Sequence, residues 1–130
     1  MATDMRLGVS GGETLPVEVL TQFQRKFEVT ILGGYGLSET SPVATFNYFE
    51  SERIPGSVGQ PLQGTEVRIM DPDGKVLGPD EVGEVVIRGH NVMKGYYRRP
   101  DATAEAMRGG WFHSGDLGKQ DANGNFYIVD

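Results

Sequence analysis

The feature that most restricts the fold is a short apolar run that stops on glycine. Val29-Thr30-Ile31-Leu32 is β-branched and apolar, reads as a buried strand, and ends at Gly33-Gly34. The segment Gly34-Tyr35-Gly36-Leu37-Ser38-Glu39-Thr40 then brackets a ring with two glycines and supplies hydroxyl, carboxylate and hydroxyl in three positions. Upstream, Met5 to Ser10 predicts a short strand ending at Gly11-Gly12. Pro16 fits the first helical position, where a missing N–H costs nothing, and Val19, Leu20, Phe23 and Phe27 follow at helical spacing. Strand, helix, strand and glycine loop is α/β grammar. Ligands in such sheets bind beyond the carboxyl ends of the strands.

From about Gly56 the pattern changes. Glu66-Val67-Arg68-Ile69-Met70 alternates, Asp71-Pro72-Asp73-Gly74 has turn chemistry, and Val76-Leu77 resumes. Gly83 to Arg88 reads as another strand, and Asp101 as the cap of a short helix running through Met107. Asn123-Gly124 signals a hairpin whose last strand is Phe126 to Val129. The expected fold class is therefore α/β plus antiparallel β. A strand-helix-strand piece over residues 1–50 precedes a small β-barrel-like subdomain over residues 51–130, with the join near residues 46–56.

Composition narrows the function. The 130 residues include 18 acidic and 12 basic side chains, a net charge of −6, with no lysine or arginine run, which argues against nucleic-acid binding. Cysteine is absent, so disulfides and thiolate metal sites are excluded. No apolar run approaches the roughly 20 residues of a membrane helix. Met1-Ala2-Thr3-Asp4 lacks the basic and apolar regions of a signal peptide. A cytoplasmic location is expected. The 19 glycines exceed the roughly 9 that average usage gives, and they must serve turns and close backbone approaches.

A Gly-Tyr-Gly segment alone reads as a tight turn with a half-buried tyrosine, and a lone Ser-Gly-Asp as a turn aspartate bonded to its own backbone. Together they carry more. Ser38 and Glu39 place a hydroxyl beside a hard carboxylate, a pair suited to a phosphoryl group with its Mg²⁺. Tyr35 offers a ring on which a base can stack, and Gly11-Gly12 a backbone that can approach the base closely. Asp116, after a glycine within Trp111-Phe112-His113-Ser114-Gly115-Asp116-Leu117, suits a ribose diol. His90 and His113 lack metal-ligand spacing and read as structural or surface residues. Arg98-Arg99 reads as solvated, Asp71, Asp73 and Asp80 as turn and loop residues, and Trp111 and Phe112 as packing against the barrel.

Four stretches occur in order: "GYGLSETSPV", "GSVGQPLQGTEVRIMDPDGK", "GEVVIRGHNVMKGYYRRPDATAEA" and "GWFHSGDLG". Together they resemble the second half of the large domain of the adenylate-forming enzymes, which include acyl-CoA synthetases, peptide-synthetase adenylation domains and luciferases. The resemblance covers essentially the whole chain. Leu-Ser after the first Tyr-Gly, and Phe-His-Ser before Gly-Asp, are more similar to fatty acyl-CoA synthetases than to peptide synthetases.

The resemblance implies ATP and AMP, Mg²⁺ and coenzyme A as ligands, and a carboxylic acid, a fatty acid, as substrate. Tyr35 would stack on adenine, with backbone around Gly11, Gly12 and Glu13 lining the base's other edges. Ser38 and Glu39 would hold the catalytic positions, Ser38 on the AMP phosphate and Glu39 on Mg²⁺. Asp116 would hold the ribose hydroxyls. Gly34 and Gly36 would flank Tyr35 in the nucleotide site and border the acyl pocket with Pro42 and Val43. Asp130 is similar to the hinge residue that precedes the small C-terminal domain.

The family's Ser/Thr/Gly-rich phosphate loop and its catalytic C-terminal lysine have no counterpart within these residues. The resemblance therefore implies a piece of the enzyme that does not adenylate alone, and whose truncation surface could pair two copies. Two other readings stay open. One is a nucleotide- or partner-binding module without catalysis; the other is a relative with a different acyl acceptor.

Overall fold

The computed structural model describes residues 4–130. Strand β1 (Leu7–Ser10) leads through a glycine loop into helix α1 (Val17–Phe27) and strand β2 (Thr30–Gly36). A 3₁₀ turn (Ser38–Thr40), strand β3 (Val43–Phe46) and the short β4 (Gln60–Pro61) follow. Then come β5 (Thr65–Met70), β6 (Gly83–Gly89), helix α2 (Pro100–Ala106), a second 3₁₀ turn (Arg108–Gly110), β7 (Phe112–Gln120) and β8 (Phe126–Ile128). The class is mixed α/β with two four-stranded sheets. In the first, β1 and β2 are parallel, and β3 and β4 join antiparallel. The second, ordered β5-β6-β7-β8, is entirely antiparallel and curls into a half-barrel.

Several boundaries differ from the sequence reading. Pro16 is the residue before the helix rather than its first, and Asp101 lies inside the first turn of α2 behind Pro100. Val76 makes only an isolated bridge to Met70. The main correction concerns β2. It does not end at Gly33-Gly34 but runs on through Tyr35 to Gly36, because these residues pair with β3, Gly34 opposite Phe46, Tyr35 opposite Thr45 and Gly36 opposite Val43. The glycines there make room rather than a turn. A Cβ on Gly36 would overlap the Pro42 carbonyl oxygen and stand 2.8 Å from Val43 Cα. One on Gly34 would stand 3.0 Å from Phe46 Cε2.

The core explains how the two sheets hold together. Val67, Ile69, Val85, Ile87, Phe112 and Phe126 of the second sheet cluster with Ala44 of β3, all nearly inaccessible to solvent. Tyr35 and Leu37 pack against this cluster from the end of β2. Backbone bonds reinforce the junction: Val58 N–H donates to the Phe126 carbonyl at 2.9 Å, and Phe126 N–H to the Gly59 carbonyl at 2.9 Å. Burial of each large side chain here stabilises by about 1.5–3 kcal/mol. By contrast, α1 buries no residue fully, and Leu7 and Val9 on the edge strand β1 are exposed.

Candidate functional site

The junction between the sheets opens into a cavity of roughly 340 Å³. Gly12, Glu13, Gly34, Tyr35, Gly36 and Asp116 all line it. Residues from the loop after β1, the end of β2 and the middle of β7 thus meet at one place. A second cavity, of roughly 200 Å³, lies toward α1 and shares Glu13, Thr14, Gly34, Val58 and Ile128 with the first.

Tyr35 and Asp116, 81 residues apart, are joined directly. The phenol donates to Asp116 Oδ2 at 2.6 Å. Burial first, and then this bond to a carboxylate, push the phenol's pKa well above its ordinary value. Tyr35 therefore stays a neutral donor through the physiological range. Its ring is fixed at the main chain by pairing with β3 and at the para position by Asp116. A carboxylate has about four lone-pair positions. One is occupied by Tyr35, and the rest are available to a ligand with adjacent hydroxyls.

Asp116 owes its direction to a bulge. Glu84 pairs with Leu117 and Val86 with His113, so Ser114, Gly115 and Asp116 oppose Val85 alone. Bulges of this kind bend a strand and re-aim a side chain. Gly115 takes φ +80°, in the left-handed region that glycine enters without penalty. The Ser114 hydroxyl donates to the Val85 carbonyl at 2.6 Å and accepts the Asp116 N–H at 3.1 Å. Ser-Gly-Asp is thus a strand bulge, not a turn.

Ser38 and Glu39 are not part of the cavity lining. They sit on the adjoining 3₁₀ turn, immediately after Leu37, which does line it. Ser38 is exposed. The Glu39 carbonyl accepts the Met93 N–H at 2.8 Å, and Glu39 Oε1 accepts the Tyr96 hydroxyl at 2.9 Å. That bond raises the Tyr96 pKa. Glu39 is near enough to act on the Tyr35 phenol through its charge. Thr40, the third polar residue of the run, is fully buried and structural. Its hydroxyl accepts the Leu37 N–H at 3.0 Å and donates to the Pro42 carbonyl at 2.7 Å. Gly11 does not line the cavity; a Cβ added there would lie 3.6 Å from the Gly34 carbonyl oxygen.

Sequence reasoning missed Tyr96 and Val58. Tyr96 lies within a quoted stretch, but nothing in its spacing marks a partner 57 residues away. Val58 lines the cavity as an ordinary apolar residue.

An α/β sheet whose strand ends abut an antiparallel half-barrel, with glycines, a tyrosine and a bulged aspartate between them, defines a class that the comparisons with known proteins identify. The sequence model of the family described as "AMP-binding enzyme" matches residues 1–97, and the chain belongs to that family. It is 42% identical over 123 residues to the long-chain-fatty-acid–CoA ligase of Bacillus subtilis, covering 94% of this chain and 22% of that protein. It is 39% identical over 130 residues to the feruloyl-CoA synthase of an Amycolatopsis species, covering 98% of this chain and 26% of that one. ATP-bound MatB from Rhodopseudomonas palustris superposes with a TM-score of 0.92 at 38% identity, over 96% of this chain and 25% of that chain. The anthranilate CoA ligase AuaEII, in complex with anthranoyl-AMP, gives a TM-score of 0.88 at 29% identity, over 95% of this chain and 24% of that one. The chain thus spans about a quarter of the length of these relatives.

Proposed function

We propose that this chain is the adenosine-binding part of an ATP-dependent acid–CoA ligase. In the whole protein an oxygen of the acid's carboxylate attacks the α-phosphorus of ATP. The bond to the bridging oxygen breaks, and pyrophosphate leaves. The coenzyme A thiol then attacks the acyl carbon, AMP leaves, and a thioester remains. The first step depends on positioning and on neutralising phosphate charge. Names of the relatives include fatty acid, ferulate and anthranilate, which supports a carboxylic acid as substrate, a fatty acid being the first to test.

The observation that carries the reading is the Tyr35–Asp116 contact at the rim of a cavity lined by Gly12, Glu13, Gly34 and Gly36. Tyr35 presents its ring to adenine, and Asp116 its free lone pairs to the ribose 2′- and 3′-hydroxyls. Gly11, Gly12 and Glu13 bring the main chain up to the base. Ser38, exposed on the turn beyond, reaches the phosphate, and Glu39 faces the cation that accompanies it. Among the described residues no group of three or more His, Cys, Asp or Glu side chains could cage a metal. A single carboxylate fits Mg²⁺ that brings phosphate oxygens and water as its other ligands. When bound, Mg²⁺ neutralises charge on the phosphates.

Calorimetric titration of the chain with AMP and with 2′,3′-dideoxy-AMP tests this reading. Hydrogen bonds to a charged acceptor contribute about 1.5–3 kcal/mol, so AMP is expected to bind at least about tenfold more tightly. Asp116→Asn weakens AMP binding without affecting the dideoxy analogue. Equal affinity for the two nucleotides, or no binding of either, overturns the assignment. The chain by itself is expected to release no pyrophosphate from ATP and acid. A cytoplasmic location goes with this reading, and the absence of cysteine is compatible with a reducing compartment. Among the described residues no helix is long and apolar enough to cross a membrane. Leu7 and Val9 are exposed on edge strand β1, and light scattering at rising concentration would test whether two copies pair there.

A further inference from the structure

The bulge that aims Asp116 leaves one main-chain donor in need of a partner. Gly115 N–H cannot pair with β6, because Val85 is the only residue facing three. It donates instead to a side chain on the neighbouring strand, Glu84 Oε1, at 3.1 Å. The other carboxylate oxygen is also engaged. His113 Nδ1 stands 2.8 Å from Glu84 Oε2. A carboxylate only accepts, so Nδ1 carries the proton of that bond. On the far side Nε2 lies 3.1 Å from the Arg108 carbonyl, which it can hold only when that nitrogen carries a proton as well. Arg108 closes the group, its guanidinium 3.4 Å from Glu84 Oε2 and 3.3 Å from Glu105.

These contacts meet at one residue. Glu84 holds Gly115 with one oxygen and His113 with the other, on either side of Ser114, whose own hydroxyl is fixed by Val85. The residues before Asp116 are thereby clamped to β6. Glu84 does not line the cavity. Its effect on the site must pass through the bulge.

We infer that Glu84 is the positioning residue of the ribose-binding aspartate: by accepting from Gly115 N–H and His113 at once, it sets the β7 bulge that holds Asp116 on Tyr35. The inference rests on the proposed nucleotide reading for its functional consequence, but its structural half stands without any ligand. Sequence spacing explains why Glu84 escaped notice, since it precedes the continuous apolar run Val85-Val86-Ile87, where a flanking glutamate reads as a strand-end residue. The same network gives His113 a structural role, as a strut between the second 3₁₀ turn and Glu84.

Two variants separate positioning from folding. Glu84→Gln keeps an acceptor oxygen for Gly115 and offers an amide donor to His113, which then presents Nδ1 as acceptor and donates from Nε2 to Arg108. Glu84→Ala removes both contacts. The Glu84 side chain is 26% exposed and Gly115 is exposed, so water can reach the vacated N–H and the loss stays local. The first readout is ligand-free, by NMR of the uniformly labelled 130-residue chain. Glu84→Ala is expected to speed exchange of the Gly115 amide by about tenfold or more and to shift the Asp116 and Tyr35 resonances, while the amides of β5 keep their protection. Glu84→Gln is expected to restore parental resonances at Tyr35. The second readout is the ratio of AMP to 2′,3′-dideoxy-AMP affinity. That ratio falls about fivefold or more in Glu84→Ala and stays within about twofold of the parent in Glu84→Gln.

Unchanged Tyr35 and Asp116 resonances in Glu84→Ala overturn the positioning role, whatever the nucleotide data. So does a preserved affinity ratio in Glu84→Ala. A parent chain that binds both nucleotides equally overturns the ribose reading instead, and leaves the NMR readout to decide the clamp. A Glu84→Ala chain that loses protection throughout β5 and β6 counts against the inference, because Glu84 is then a folding residue.

Discussion

Replacing Gly36 by alanine adds one methyl group at the place where β2 lies closest to β3. The new Cβ would overlap the Pro42 carbonyl oxygen and stand 2.8 Å from both the Pro42 carbonyl carbon and Val43 Cα. All three are main-chain atoms, so no rotamer change relieves the clash. The strands must separate. Overpacking against side chains costs about 1–3 kcal/mol, and rigid backbone places this case at the upper end, about 3 kcal/mol. Moving Pro42 also disturbs the bond from the Thr40 hydroxyl, worth about 1 kcal/mol. The total, about 4 kcal/mol, is a large share of the 5–15 kcal/mol that holds an ordinary domain together. At about 3–5 °C per kcal/mol for a chain of this length, the melting temperature should fall by about 12–20 °C. Thermal melts followed by circular dichroism measure this directly. Gly12→Ala provides the control, because Gly12 has φ +87° and nothing within 4 Å of an added Cβ. Only the left-handed backbone penalty of about 1–2 kcal/mol applies there. A Gly36→Ala chain melting within about 3 °C of the parent would refute the claim that these glycines exist for close strand approach.

Two other perturbations test the site's electrostatics. Burial and the bond to Asp116 raise the Tyr35 pKa, so above about pH 10 the unfolded chain gives up this proton while the folded chain keeps it. The associated stability is whole below about pH 10 and is lost as pH rises toward the folded-state value. Tyr35→Phe should therefore flatten the alkaline limb of urea midpoints measured across that range, and coincident limbs would exclude the linkage. Tyr96→Phe removes the hydroxyl that engages Glu39 Oε1. One net hydrogen bond is about 0.5–1.5 kcal/mol, so the enhancement of ATP binding by Mg²⁺ should change by about two- to tenfold in calorimetry. An unchanged enhancement would mean that Tyr96 does not orient Glu39.

Much of the architecture is legible in the residue order. Periodicity located α1 and β5, because apolar side chains recur at the spacing that each element presents to a core, while β1 and β6 read as short strand runs. Asp73-Gly74 and Asn123-Gly124 marked their turns, since Gly74 and Gly124 take φ of +81° and +90°, which side-chain-bearing residues avoid. The errors fall where glycine has two possible uses. Gly33 to Gly36 read as the end of a strand, yet they continue it, because glycine serves close packing as well as turns. The sequence does not say which use applies. That depends on a partner strand arriving from residues 43–46.

The site divides along the same line. By itself the sequence determined which chemical groups are present and in which local frames: a tyrosine between glycines, a hydroxyl beside a carboxylate, an aspartate after Ser-Gly. These are properties of a few adjacent residues and need no knowledge of distant contacts. Only the tertiary structure decided that the Tyr35 hydroxyl rests on Asp116, that Tyr96 engages Glu39, and that Glu84 reaches the neighbouring strand at Gly115. Each of those bonds joins residues between 31 and 81 positions apart. The geometry of the first and last is fixed by strand register and by one bulge. Register is set by the burial of whole sheet faces, a collective quantity that no short stretch of sequence carries.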